Sequence, residues 1–160
     1  MKRTLVLVPV STEQARALWR AEDLGELQAF SVTDELLANL EGVHDAEDAE
    51  HACAQLASLW GLSHHGERLV LAAEVDPGVL RPEQNEAHNG GVLLGRLTRA
   101  QVSAFFADDP ANPLPQGLSQ QVAGLDVDQA WELDEVQRML RSHDLLWHSV
   151  EELAVLGEDG

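Results

Sequence analysis

The chain alternates between continuous apolar runs and amphipathic stretches, and this pattern predicts a mixture of strands and helices. Apolar runs at 4–10, 68–75 and 92–97 are typical of buried β-strands. A short segment at 28–33 and a final one at 145–153 are also predicted to be extended. Apolar spacing and capping signals predict helices at 11–25, 34–42, 44–61 and 98–109, and another that starts at Asp126 or Asp128.

Two of these predicted helices begin with the same local signal, a hydroxyl residue followed three positions later by glutamine. Ser11 with Gln14, and Thr98 with Gln101, each fit a capping box. The segments around the two pairs align without a gap. They indicate either two strand–helix halves in series or two unrelated joints that share a common kind of cap.

The order of these elements favours an α+β fold. We predict a ferredoxin-like split βαβ order with an inserted helical pair at 34–62 and a mixed or antiparallel sheet. A single domain is expected over 1–156, with flexible segments at 76–91 and 108–125 and a disordered tail at 157–160.

The first predicted strand is apolar on both sides. Leu5 and Leu7 point one way, while Val6 and Val8 point the other. A two-layer domain would leave one face of its sheet in water, so something is expected to cover the second face. The candidates are the inserted helices and a second subunit, which would make a homodimer through the sheet.

Charge narrows the range of partners. The sequence holds 28 acidic residues against 10 lysines and arginines, a formal net charge of −18. Such a surface repels phosphate backbones and anionic headgroups, so neither nucleic acids nor membranes are expected as partners. The single cysteine cannot form an intrachain disulfide, and the apolar run at 5–10 is too short for a membrane span or a signal-peptide core. We therefore expect a cytoplasmic protein.

The segment at 44–53, HDAEDAEHAC, concentrates candidate chemistry on one predicted helix. At about 100° per residue, Cys53 falls on the apolar side of that helix and His51 on the opposite side. The two side chains therefore cannot form a thiolate–imidazole dyad. Cys53 is expected to be a small core residue.

The polar side of the same helix carries a candidate metal site. His44, Asp48 and His51 line up at a spacing that can hold zinc or a similar divalent ion. The alternative is that Asp45 is the N-cap, which places His44 before the helix and leaves the acids to interact with the helix dipole. Asp48 and His51 are thus the candidate metal ligands, and no other cofactor is expected.

Histidines elsewhere supply a second candidate site. His64 and His65 fall in a predicted turn, and Glu86 and His88 fall in the polar loop at 76–91. These four are candidate ligand-binding residues if the fold brings them together; the alternative is a solvated hairpin loop. The sequence contains no GxGxxG, GxxxxGK(S/T), GxSxG or HExxH motif.

The absence of these motifs favours a non-enzymatic module that binds a protein partner or a small ligand and self-associates. The alternative is a metal-assisted hydrolase that uses histidines and acids near 44–51, 64–65 and 86–88. The predicted fold does not decide between them, because such scaffolds host many functions.

Four blocks of the sequence resemble a known family. They are LVPVS (7–11), LQAFSVTDELL (27–37), RLVLAAEV (68–75) and HDLLWHSVEEL (143–153). Together they are similar to small uncharacterised proteins of high-GC bacteria that carry a domain-of-unknown-function designation. The resemblance implies a cytoplasmic single-domain protein. It implies no activity and no site residues, since the blocks are apolar structural segments.

Overall fold

The computed structural model describes residues 3–42 and 45–156. Within these residues seven strands form one sheet: β1 (Thr4–Pro9), β2 (Leu27–Phe30), β3 (Leu69–Val75), β4 (Leu80–Pro82), β5 (Gly91–Leu94), β6 (Val102–Ala107) and β7 (Leu146–Ser149). Their order is β4-β5-β2-β1-β3-β6-β7, and every neighbouring pair is antiparallel. The fold class is therefore α+β with an open antiparallel sheet.

The same part of the chain contains six α-helices: α1 (Thr12–Trp19), α2 (Asp34–Asn39), α3 (Ala46–His65), α4 (Leu118–Val122), α5 (Val127–Trp131) and α6 (Asp134–Ser142). The capping box predicted for α1 is confirmed. The Ser11 hydroxyl accepts from the Gln14 amide at 3.1 Å, and the Gln14 side chain accepts from the Ser11 amide at 2.9 Å. Both bonds satisfy amides that the first helical turn leaves free.

Helices cover both faces of the sheet's centre. On one face, α3 to α6 pack against a core that includes Leu7, Phe30 and Val70. On the other, α1 and the short 3-10 helix Val150–Val155 pack against a core that includes Val8. The strand sequence is apolar on both sides for this reason. Covering the second face does not require a second subunit, and a homodimer stays a prediction.

The helix predicted over 98–109 is wrong. After the Thr98 cap, whose amide donates to the Gln101 side chain at 2.9 Å, a single 3-10 turn ends and β6 begins at Val102. From there buried Val102 and Ala104 flank exposed Ser103, a period of two that fits a strand beside β3. The match with the segment around α1 thus extends only to the cap, and the ferredoxin-like order is not confirmed.

Two C-terminal elements differ in extent from their predictions. The helix expected from Asp126 or Asp128 is divided, because Leu133 has extended backbone between α5 and α6. The strand expected over 145–153 is β7 only as far as Ser149, where the Glu152 side chain accepts from the Ser149 amide at 3.0 Å and a 3-10 helix begins.

The segment expected as a polar loop at 76–91 contains the edge strand β4, which pairs with β5. Gly90, directly before β5, has φ +85°, a conformation that favours glycine. Its carbonyl accepts from the Ser31 amide at 2.9 Å, which ties the segment to the end of β2. The segment is thus joined to the body of the fold at both ends.

Candidate functional site

A cavity of about 500 Å³ lies between α3, the sheet and the chain that follows α6. Its floor comes from the sheet, its walls from α3 and from residues 140–145. The residues that line it are Leu5, Leu7, Glu47, Glu50, His51, Ala54, Gln55, Arg68, Ala72, Phe106, Leu140, His143, Asp144 and Leu145.

Small side chains on the sheet and on α3 help to leave this cavity open. Leu7 of β1 pairs with Ala72 of β3, so both side chains lie on the face covered by α3. On the helix, Ala54 is half-buried above the same face. An alanine on the strand and an alanine on the helix leave a gap that larger side chains would fill. We refer to this space as the α3 cavity.

The α3 cavity continues toward α2 along β1. A smaller cavity of about 130 Å³ shares three of its lining residues, which are Leu5, Leu7 and Glu50. The smaller cavity also reaches Phe30 and Cys53. The sheet therefore presents an extended apolar strip beneath α3.

A buried arginine fixes one wall. The Arg68 side chain is 1 % exposed and forms an ion pair with Asp108, its Nε donating to the carboxylate at 3.2 Å and its Nη2 to the other carboxylate oxygen. The same Nη2 donates to the His143 carbonyl at 2.7 Å. These bonds join the start of β3 to the end of β6 and hold the chain after α6 against the sheet.

The third guanidinium nitrogen of Arg68, Nη1, makes no hydrogen bond to a residue in 3–42 or 45–156. In that part of the chain no fully buried side-chain nitrogen or oxygen lacks a partner. Arg68 lines the α3 cavity. A bound molecule that accepts a hydrogen bond from Arg68 would therefore do so at Nη1.

The rim of the α3 cavity is acidic. Glu47 and Glu50 project from the first turns of α3, and Asp144 follows α6; all three are exposed. His143 is held in place, since Nε2 lies 3.1 Å from the Pro113 carbonyl and Nδ1 lies 2.7 Å from the Ser142 hydroxyl. Among the lining residues that the structure describes, the one guanidinium already faces a carboxylate, so the lining carries net negative charge.

The predicted metal pair lies on α3. The Asp45 side chain accepts from the Asp48 amide at 2.8 Å, which confirms Asp45 as the N-cap. His44 lies outside the described residues. His51 lines the α3 cavity, and Asp48 is exposed on the first turn. Across the residues that the structure describes, no three His, Cys, Asp or Glu side chains are grouped to hold a metal ion, and the pair stays a prediction.

Cys53 points into the core, as predicted. It is fully buried, and burial raises the pKa of its thiol to about 12, with a smaller contribution from the charge of Glu50. The thiol is therefore protonated at neutral pH, as expected for a core residue.

Two of the four predicted ligand-binding residues line a separate cavity at the C-terminal end of α3, which we refer to as the second cavity. His64 and Glu86 both line a space of about 320 Å³, together with Trp60. The His64 ring stacks on Trp60 with centroids 3.9 Å apart, and His65 contacts the edge of the same indole at 5.6 Å. Burial lowers the pKa of His65 below its ordinary value. The fold thus brings the end of α3 to the segment before β5.

His88 and Glu86 belong to a network that anchors α5. The His88 ring pairs with the Asp128 carboxylate, and the Asn89 amide donates to Glu86 at 3.0 Å and to Asp128 at 3.2 Å. Glu86 also accepts from the Val127 amide at 3.2 Å. Its carboxylate is thereby occupied by protein donors, so this cluster has a structural role in the described fold.

The environment of Glu86 predicts that this residue's contribution to folding stability depends on pH. Burial raises the pKa of this carboxyl above its ordinary value of 4.5, against the hydrogen bonds from Asn89 and Val127. Such a carboxyl contributes its full stabilisation when the pH lies below the pKa that it has in the unfolded chain. The contribution is lost as the pH rises through the higher pKa that it has in the folded protein.

We expect the stability advantage of the wild type over Glu86→Gln to shrink as pH rises from about 4 toward neutrality, because glutamine does not ionise. Urea denaturation of both proteins at a series of pH values measures it. Glu132→Gln, at the exposed end of α5, is the control and should show no such trend. A wild-type advantage that grows with pH would contradict the assignment.

Sequence reasoning missed Arg68 as a site residue. The signal was present, since a single arginine directly precedes the apolar run of β3 in a chain with few basic residues. Ala54 and Phe106 gave no such signal, because they are ordinary positions on a helix and a strand.

In the described part of the chain, no helix combines the length and apolarity needed to cross a bilayer. The model of a family of unknown function, DUF6912, matches residues 4–156, and the chain belongs to that family. No significant match was found among curated proteins or among solved structures.

Proposed function

We propose that this member of a family of unknown function is a non-enzymatic, small-ligand-binding domain, and that the α3 cavity is its binding site. The observation that carries the proposal is the shape and lining of that cavity. It measures about 500 Å³, within the range of small-molecule sites, and it combines an apolar floor with a few polar groups at its wall and rim.

The apolar floor favours a ligand with an apolar body. Leu5, Leu7 and Phe106 present hydrocarbon toward the cavity, and covering such surface contributes about 25 cal/mol per Å² removed from water. The polar groups at the wall and rim would orient the ligand. A cytoplasmic location is part of the proposal, supported by the single unpaired cysteine.

No observation favours the alternative, a metal-assisted hydrolase. Its predicted residues near 44–51, 64–65 and 86–88 do not share one cavity where the structure describes them. His51 lines the α3 cavity, whereas His64 and Glu86 line the second cavity. His88 and Glu86 are engaged with α5 and its flanking residues.

A neutral probe tests the proposal. Naphthylmethanol, titrated into the labelled protein and followed by amide chemical shifts, is expected to give saturable shifts at the α3 cavity. Ala54→Phe places a ring in the space and should weaken binding at least about tenfold. Ala54→Leu should weaken it less.

The matched control is Ala38→Phe, on the exposed side of α2. It makes the same substitution on a helix but does not line the α3 cavity, so it should bind the probe like the wild type. Absence of saturable shifts in the wild type, or equal affinity in Ala54→Phe, would reject the proposal.

A further inference from the structure

We infer that the ligand of the α3 cavity is an organic cation, an apolar molecule that carries an amine or another positively charged group at one end. The inference rests on the proposed function and specifies its ligand class. It follows from the distribution of charge around an apolar floor, together with the buried donor at the wall.

The described residues that line the α3 cavity include three exposed carboxylates. Glu47, Glu50 and Asp144 come from two different elements, the start of α3 and the chain after α6, and all three line the cavity. Charges near a protein surface interact with an effective dielectric constant of about 20, far below that of water. A cation held beside them would therefore be attracted by carboxylates of both elements.

The one arginine in the lining does not reverse this balance. Arg68 is paired with Asp108 through two of its nitrogens, so its positive charge is already compensated inside the protein. A second carboxylate brought to Nη1 would face the rim acids and the net charge of −18. A neutral acceptor, such as a hydroxyl or carbonyl oxygen, can take the Nη1 hydrogen bond without that repulsion.

The wall, the floor and the opening of the α3 cavity thus differ in the ligand groups that they accept. The wall offers one buried donor to a neutral oxygen, the floor accepts hydrocarbon, and the opening accepts positive charge. An apolar anion satisfies only the floor, since its charge is repelled by the carboxylates of the lining. An apolar amine satisfies the floor and the opening.

Three probes that share a naphthalene ring and differ in charge test the inference: naphthylmethylamine, naphthylmethanol and naphthoate. We expect the amine to bind the wild-type protein about tenfold more tightly than the alcohol at low salt. Naphthoate should bind more weakly than either. Added salt should reduce the affinity for the amine and leave that for the alcohol unchanged.

Removing the rim charges should remove the preference for the amine over the alcohol. In Glu47→Gln/Glu50→Gln/Asp144→Asn, the amine and the alcohol are expected to bind equally. Glu13→Gln/Glu132→Gln/Glu151→Gln removes as many charges from exposed positions that do not line the cavity, and it should retain the preference. Thermal unfolding of both variants confirms that they remain folded.

The outcomes distinguish the cation inference from the proposed binding site. If the alcohol binds and the amine binds no more tightly, or if naphthoate binds best, the cation inference is overturned while the binding site stands. An equal loss of preference in both triple variants also overturns it, since total charge rather than the rim would then be responsible. If no probe binds, the proposed function fails first.

Discussion

Gly90→Ala is expected to destabilise the protein by about 3–5 kcal/mol, among the largest effects of any single substitution. Two costs combine at this position. The backbone has φ +85°, and an added Cβ would lie 2.3 Å from the Ser31 carbonyl oxygen and 3.1 Å from a methyl of Leu36. The carbonyl belongs to backbone that is held by the Ser31–Gly90 hydrogen bond, so it cannot move away without breaking that bond.

Gly117→Ala separates the two costs. Gly117 has nearly the same φ, +84°, but a Cβ there would meet nothing within 4 Å. Its replacement should cost only about 1–2 kcal/mol, the penalty of the left-handed conformation itself. Urea denaturation measures both variants. Equal losses of stability in the two proteins would show that the close approach at Ser31 is not limiting.

Arg68→Met is expected to lower the free energy of unfolding by about 3 kcal/mol, because it removes one member of a buried ion pair and leaves the charge of the other without compensation. Asp108 keeps a fifth of its side-chain surface exposed, at 21 %, which places the expected cost at the lower end for such pairs. The His143 carbonyl also loses its donor, so the chain after α6 should loosen.

The double variant Arg68→Met/Asp108→Asn tests whether the pair acts as a unit. Since no charge is left buried, it should be more stable than the sum of the two single effects indicates. Chemical denaturation of all four proteins completes the cycle, and hydrogen exchange at the amides of 143–145 reports the loosening. A cost below about 1 kcal/mol for Arg68→Met would contradict the role given to this pair.

Local patterns were sufficient for part of this structure. The apolar runs predicted β1 and β3, the Ser11–Gln14 pair predicted the start of α1, and helical spacing placed Cys53 in the core. Each of these depends on residues within a few positions of one another. The error at 98–109 has the same origin, because a correct local cap was extended into a helix that pairing with β3 overrides.

The α3 cavity depends on contacts that no local pattern contains. Arg68 meets Asp108 across 40 residues and the His143 carbonyl across 75. Ala72 and Ala54 both line the space, and alanine in a strand or a helix carries no signal of what lies opposite. The sequence singled out His51, but it could not show that the residue borders an apolar cavity.

The most direct test of the account is to locate a bound molecule. Nuclear Overhauser effects from the naphthalene ring of naphthylmethanol to the methyl groups of isotopically labelled protein report which side chains surround it. We predict contacts with Leu5, Leu140 and Leu145, which line the α3 cavity. Contacts with Leu125, which lines the second cavity, and none with these three would contradict it.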